Sequence, residues 1–241
     1  MDGYASPSPL LVKAFNGTDI YTAKEFPELD LVIITYDHYD HLDYQTILKL
    51  GTKIKKLLCP IGVGEHLESW GFPEEKLIEL DWWESYDLFS DVRISATPTR
   101  HFSGRSFQRF QTLWASYVLE LGSQRIFLGG DSGYDDQFKK IGEKFGSFDL
   151  AILENGQYGD NWPYTHMFPE ETAQAAVDLN SKFLFPVHWG KFILAQQGWK
   201  DPIERLVTKS ESLNLQIKTP LIGEPIYLNN DLHKAWWSAI K

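Results

Sequence analysis

Disulfide chemistry within the chain is excluded at the outset. The 241 residues contain a single cysteine, Cys59, which has no partner for an internal bridge and fits a reducing, cytoplasmic compartment. Long apolar runs are missing too: nothing approaches the roughly 20 residues that cross a bilayer as a helix. The opening MDGYASPSPLLVKAFNG has neither the basic start nor the sustained apolar stretch of a signal peptide. No membrane span is therefore expected. Basic charge is scarce: 23 Lys and Arg stand against 33 Asp and Glu, a formal net charge of -10. That balance opposes binding to nucleic acid or anionic membrane through counterion release. An anionic substrate is still allowed, because bound divalent cations would dominate the local field. Repeats, low-complexity blocks and linkers are absent. One domain over 1–241 is expected, with 1–29 an irregular or shortened lead-in.

Aromatic residues, by contrast, are plentiful. Nine tryptophans within a 43% hydrophobic composition supply material for a buried core rather than a disordered chain. Trp82, Trp83 and Trp114 are assigned to that core, and Trp236 and Trp237 near the C-terminus are expected to dock on the body of the domain.

Apolar runs place strands over 31–35 (LVIIT), 56–59, 92–97, 148–153 and 183–187. Two more, over 113–121 and 125–128, form a hairpin joined at Gly122-Ser123. A last strand is expected over 225–228. Helices are expected over 44–50 behind an Asp43 cap, 64–70, 135–145, from Pro169 to about 180, and 202–213. The chemistry-bearing residues share one position in this pattern. His38, Asp40 and His41, then His101, Asp131 and His188, each follow a predicted strand within a few residues. Loops at strand ends are where a rigid scaffold presents functional groups.

His38, Asp40 and His41 sit in the loop ITYDHYDHLD. The spacing His-x-Asp-His turns alternate side chains to opposite sides, so His38 serves one metal while Asp40 and His41 reach a second. Mixed imidazole and carboxylate ligation suits zinc, iron or manganese better than calcium or magnesium. His101, Asp131 and His188 are the candidates for the remaining ligands; Gly104, Gly130 and Gly190 lie close to them in the chain. Taken alone, Asp131 also reads as a turn residue after Gly-Gly, and His166 as a cap for the helix behind it. Arg105 is read as bracing its loop in preference to facing substrate, Cys59 as buried filler, and His66 and His233 as structural.

The segments HYDHLD, RHFSGR, TLWAS, GGDSGY, FDLAILENGQY, HMFPEE and PVHWGKF, in that order, with ELDWWES over 79–85, resemble the metallo-β-lactamase superfamily of metal-dependent hydrolases. The likeness is greatest to the branch that includes N-acyl-phosphatidylethanolamine phospholipase D, and it runs from about Asp30 to Lys200. Seven ordered motifs are far more specific than any one of them.

This resemblance implies an α/β fold, a four-layer αββα sandwich here lacking its usual first N-terminal strands. It implies hydrolysis of a phosphodiester, phospholipase D-like, or of a related ester, through a metal-bound hydroxide. The family's HxHxDH loop falls on Tyr36, His38, Asp40 and His41, so a tyrosine stands where the first histidine is expected. The first metal position would keep His38 and His101, the second Asp40, His41 and His188, with Asp131 bridging both. One or two zinc ions are implied, with manganese or iron as substitutes. Asp40 would orient the attacking oxygen and His166 would contact substrate. Tyr36 is expected to pack nearby or donate a hydrogen bond, weakening the first position. Two alternatives stand beside this reading: a lactonase or carboxylic-ester hydrolase on the same site, and a degenerate, non-catalytic member with impaired metal binding. The partner expected is a small-molecule or lipid-like ester. A sheet edge left uncovered by the short N-terminus would favour a homo-oligomer.

Overall fold

The structure, a computed structural model, describes residues 5–6, 12, 14–15, 17–18, 20–105, 108–229 and 234–240. Much of the lead-in lies outside the described residues, and so does His233. The first regular segment alternates strand and helix: β1 (Leu29–Ile33), α1 (Tyr44–Leu50), β2 (Ile54–Pro60), α2 (Val63–Ser69) and β3 (Leu77–Leu80). Its three strands pair in parallel in the order β1-β2-β3. Asp43 starts α1 as expected, its carboxylate accepting from the backbone N–H groups of Gln45 and Thr46 at 3.3 and 3.0 Å.

The second sheet begins as an antiparallel meander of β4 (Ser85–Phe89), β5 (Val92–Thr97), β6 (Ser116–Leu121) and β7 (Gln124–Leu128). It continues through α3 (Gln137–Phe145), β8 (Leu150–Glu154), α4 (Pro169–Asp178), β9 (Phe183–Val187), α5 (Asp201–Ser212) and the short β10 (Gln216–Ile217). The strand order is β10-β9-β8-β7-β6-β5-β4.

Three apolar clusters define four layers. Because strand side chains alternate between faces, β2 sends Leu57 and Cys59 toward α1 and α2 and Leu58 the opposite way. Leu58 joins Leu80, Ile94, Ala96 and Tyr117 between the two sheets. On the far side, Val118, Phe127, Ala151, Leu153 and Leu184 meet α3, α4 and α5. Those helices contribute Phe138 and Ile141, Ala173 and Ala176, and Ile203 and Leu206, pairs three residues apart on one face. The resulting order is helix, sheet, sheet, helix. Trp237 docks into the outermost of these cores, as expected for the C-terminal pair.

Direction in the second sheet decides where chemistry can gather. β5 and β7 both run antiparallel to β6, and β8 and β9 run parallel to β7. The C-terminal ends of β5, β7, β8 and β9 therefore line one edge. His101, Asp131, Glu154 and His188 lie at or just beyond those four ends.

Some expected elements differ. The segment 225–228 forms no strand, and β3, β4 and β10 emerge where none was expected. Trp83, assigned to the core, is 45% exposed and has φ 73°. Its neighbour Trp82 packs between the sheets and donates Nε1–H to the Trp114 carbonyl at 2.7 Å, so adjacent rings face opposite ways. Among the described residues no helix is long and apolar enough to cross a membrane.

Candidate metal centre

The loop after β1 is held rigid from several sides. Ala115 N–H donates to the Thr35 carbonyl at 2.9 Å, and the buried Tyr117 hydroxyl donates to that of Ile34 at 3.0 Å. The buried carboxylate of Asp37 accepts from Gly104 N–H at 2.7 Å and lies 3.5 Å from His66 Nε2. Arg105 donates to the carbonyls of Asp37 and Leu42, at 2.9 and 2.5 Å, with its guanidinium 4.1 Å above the Tyr39 ring. Arg105 thus binds the loop's own backbone. These contacts present His38, Asp40 and His41 from a fixed frame.

Asp131 comes from the opposite sheet. Gly130, at φ 60°, turns the chain there in a left-handed conformation open to glycine at little cost. Thr99 Oγ1 donates to the Asp131 carbonyl at 2.9 Å, tying the loop after β7 to the one after β5. His188 follows β9 with φ 65°, an unusual backbone for a non-glycine residue.

Four side chains converge. One donor atom each from Asp40, His41, Asp131 and His188 lies within 4.8 Å of the other three. His41 Nε2 stands 3.2 Å from Asp131 Oδ2 and 3.5 Å from Asp40 Oδ2. His188 Nε2 stands 3.1 Å from Asp40 Oδ2 and 3.5 Å from Asp131 Oδ2. Burial works against charge on His41, yet Asp131 and Asp40 outweigh it and raise the imidazole pKa to about 10. Burial likewise works against the Asp131 carboxylate, and His188 and His41 outweigh it to hold Asp131 well below the usual range. One buried and one largely buried carboxylate thus demand positive charge between them. His41 Nε2 faces them without an aligned hydrogen bond. An N2O2 donor set of this kind fits a zinc, iron or manganese ion.

Tyr36 lies beside this group, 1% exposed, and its hydroxyl donates to Asp131 Oδ2 at 2.5 Å. Burial first, then the charges of Asp131 and Asp40, raise its pKa well above the ordinary phenol value, so it is a neutral donor. His38 and His101 flank the phenol, their ring centroids 4.6 and 4.7 Å from its own and 5.2 Å from each other. Among the described residues, neither histidine belongs to a group of three or more converging donors. His101 Nδ1 stands 3.1 Å from the Thr165 carbonyl, which can only accept; Nδ1 therefore carries the proton and Nε2 offers a lone pair without a partner. Burial lowers the His101 pKa to about 3, against the pull of Asp131.

His166 approaches from the segment before α4. Its Nδ1 is 3.7 Å from Glu154 Oε1 and 3.9 Å from Asp131 Oδ2, and its ring lies 5.5 Å from that of His188. It does not cap α4; Glu171 does, accepting from Phe168 N–H at 2.9 Å. Glu154, His166 and His188 form a second converging group. Glu154 was not foreseen. It ends β8, is fully buried, and accepts from Met167 N–H at 2.6 Å and Gly156 N–H at 3.3 Å. The signal available was its place as the polar terminus of an apolar strand, the same position that marked the histidines.

Among similar proteins, an uncharacterized protein of Mycobacterium tuberculosis is 41% identical over 216 residues, covering 88% of this chain and 58% of the relative. The mitochondrial N-acyl-phosphatidylethanolamine-hydrolyzing phospholipase D of Saccharomyces cerevisiae is 34% identical over 197 residues, covering 78% of this chain and 42% of the relative. The chain thus spans less than two thirds of either. Igni18, a metallo hydrolase from Ignicoccus hospitalis, shares the fold with a TM-score of 0.64 at 19% identity, over 82% of this chain and 78% of that one. With residues 5–189 matching the beta-lactamase superfamily domain, the chain belongs to that family.

Proposed function

We propose that this chain is a metal-dependent hydrolase of phosphodiester bonds, acting on a lipid-like ester in the manner of a phospholipase D. One observation carries the reading: the convergence of Asp40, His41, Asp131 and His188 at a shared edge of strand ends, with His166 beside them. The name of the yeast relative supports the phosphodiester class. Zinc is the metal proposed, held by those four side chains, and manganese or iron suits the same donors. Cys59, buried and without a disulfide partner, supports a cytoplasmic location.

When bound, the ion supplies Lewis acidity, lowering the pKa of a water toward about 7 and offsetting charge on the substrate oxygen. Asp40 is the more exposed of the two converging carboxylates, at 12% against 2% for Asp131. It is therefore the group that orients the attacking water and accepts its hydrogen bond. As the oxygen–phosphorus bond forms, the bond to the leaving group breaks and the departing oxygen needs a proton. His166 is the donor proposed, beside the converging group. Burial works against its charged form, but the Glu154 carboxylate, 3.7 Å from Nδ1, outweighs burial and raises its pKa above the ordinary imidazole value. Glu154 is the negative charge that faces this ring.

The test compares initial rates on bis(p-nitrophenyl) phosphate, a lactone and a carboxylic ester, with the protein zinc-loaded and then chelated. Chelator-sensitive cleavage fastest on the phosphodiester is expected. Faster turnover of lactone or carboxylic ester would reassign the substrate class, and no turnover of any of the three would reduce the chain to a non-catalytic member.

A further inference from the structure

A second set of metal donors is present in outline around the phenol of Tyr36. The rings of His38, His41 and His101 surround it, with centroids 4.6, 4.3 and 4.7 Å away. His101 is oriented as a ligand usually is: one ring nitrogen is held by the Thr165 carbonyl, and the other is buried without a partner. Asp131 completes the outline, yet its Oδ2 accepts the Tyr36 hydroxyl at 2.5 Å. Among the described residues no group of three or more converging donors includes His38 or His101; the ring of Tyr36, among the largest fully buried side chains, packs edge-on against both imidazoles.

We infer that the phenol of Tyr36 stands where a second ion would sit, so that the centre holds a single metal at Asp40, His41, Asp131 and His188. This rests on the metal-dependent reading proposed above. A second ion at His38 and His101 would have to displace a close-packed aromatic ring and take the Asp131 oxygen from its donor. Tyr36 acts as a positioning residue: its hydroxyl fixes the rotation of the Asp131 carboxylate and thereby aims that side chain at the one remaining position.

Metal content after zinc loading and desalting tests this directly. Wild type is expected to retain about one ion per chain, Tyr36→Phe about one, and Tyr36→His about two. Manganese loading supplies a second readout: an isolated six-line electron paramagnetic resonance spectrum for wild type and an exchange-coupled signal for Tyr36→His. Two ions in wild type would overturn the inference while leaving the hydrolase reading intact. Two ions in Tyr36→Phe would overturn the claim that the ring fills the space. A tyrosinate charge-transfer band on ferric loading of wild type would show Tyr36 as a ligand and overturn its role as a substitute. No ion in wild type would overturn the metal-dependent reading itself. The wild-type count decides even if Tyr36→His fails to fold.

Discussion

The Tyr36 hydroxyl donates to Oδ2 of Asp131 across 95 residues of chain, and neither side chain is more than 2% exposed. A buried bond to an ionised acceptor contributes about 1.5–3 kcal/mol, because the carboxylate has no water to replace the lost donor. Tyr36→Phe is therefore expected to lower the melting temperature of metal-free protein by roughly 5 °C, at about 2–4 °C per kcal/mol for a chain of this size. Differential scanning calorimetry measures it. An unchanged melting point would mean that Asp131 finds an equal partner elsewhere.

Asp131 also bears on metal retention. Its Oδ2 lies 3.2 Å from His41 Nε2 and 3.5 Å from His188 Nε2. Asp131→Asn keeps the shape but removes the charge that both imidazoles face. Zinc affinity is expected to fall by at least about 100-fold, since even outer partners of a ligand contribute 10–100-fold. Competition against a chromogenic chelator reads it. Affinity within threefold of wild type would remove Asp131 from the ligand set.

Glu154 and His166 are expected to act as a unit. If His166 protonates the leaving oxygen and Glu154 holds it, His166→Ala should cost about 100-fold or more in kcat. Glu154→Gln should cost roughly tenfold with KM little changed, and the double variant should lose no more than His166→Ala alone. Additive losses would show that Glu154 contributes by another route.

Stability should depend on pH through Asp149, far from the centre. Its carboxylate accepts from Lys182 Nζ at 2.7 Å and from Arg125 N–H at 2.8 Å. The Lys182 bond, helped by the Arg125 backbone N–H, lowers its pKa from the ordinary value against the opposing effect of burial. A carboxylate with a depressed folded pKa stabilises fully above its unfolded value, near 3.9, and loses that contribution as pH falls through the folded value. Lys182 is largely exposed, so the contribution is about 1 kcal/mol at most. The difference in urea unfolding free energy between wild type and Asp149→Asn should be steady from about pH 6 to 7 and shrink below about pH 4. A difference that grows on acidification would contradict this.

The buried strands and the polar residues at their ends were legible locally, because short apolar runs such as LVIIT and FLFPV carry a strong signal. The strands that escaped notice are weaker in that respect. β4 and β10 lie at the two edges of the larger sheet, where burial is mixed and the apolar pattern correspondingly faint. The opposite error fell on 225–228, whose Pro-Ile-Tyr-Leu run has strand-like residues but no paired neighbour, leaving Tyr227 exposed. Trp83 was misplaced because its partner Trp82 already fills the inward position. At the centre, His38, Asp40, His41, His101, Asp131, His166 and His188 could be singled out by position and motif. Their division into a converging group and a pair around Tyr36 could not, since it depends on one hydroxyl meeting one carboxylate from a different sheet. The burial of Glu154 against His166 is likewise a tertiary relation that no local pattern encodes.

Anomalous diffraction at the zinc edge from crystals of zinc-loaded wild type tests the centre most directly. One peak is predicted, about 2.0–2.2 Å from donor atoms of Asp40, His41, Asp131 and His188, with the Tyr36 hydroxyl still on Asp131. A peak between His38 and His101, or none at the four converging side chains, would contradict it.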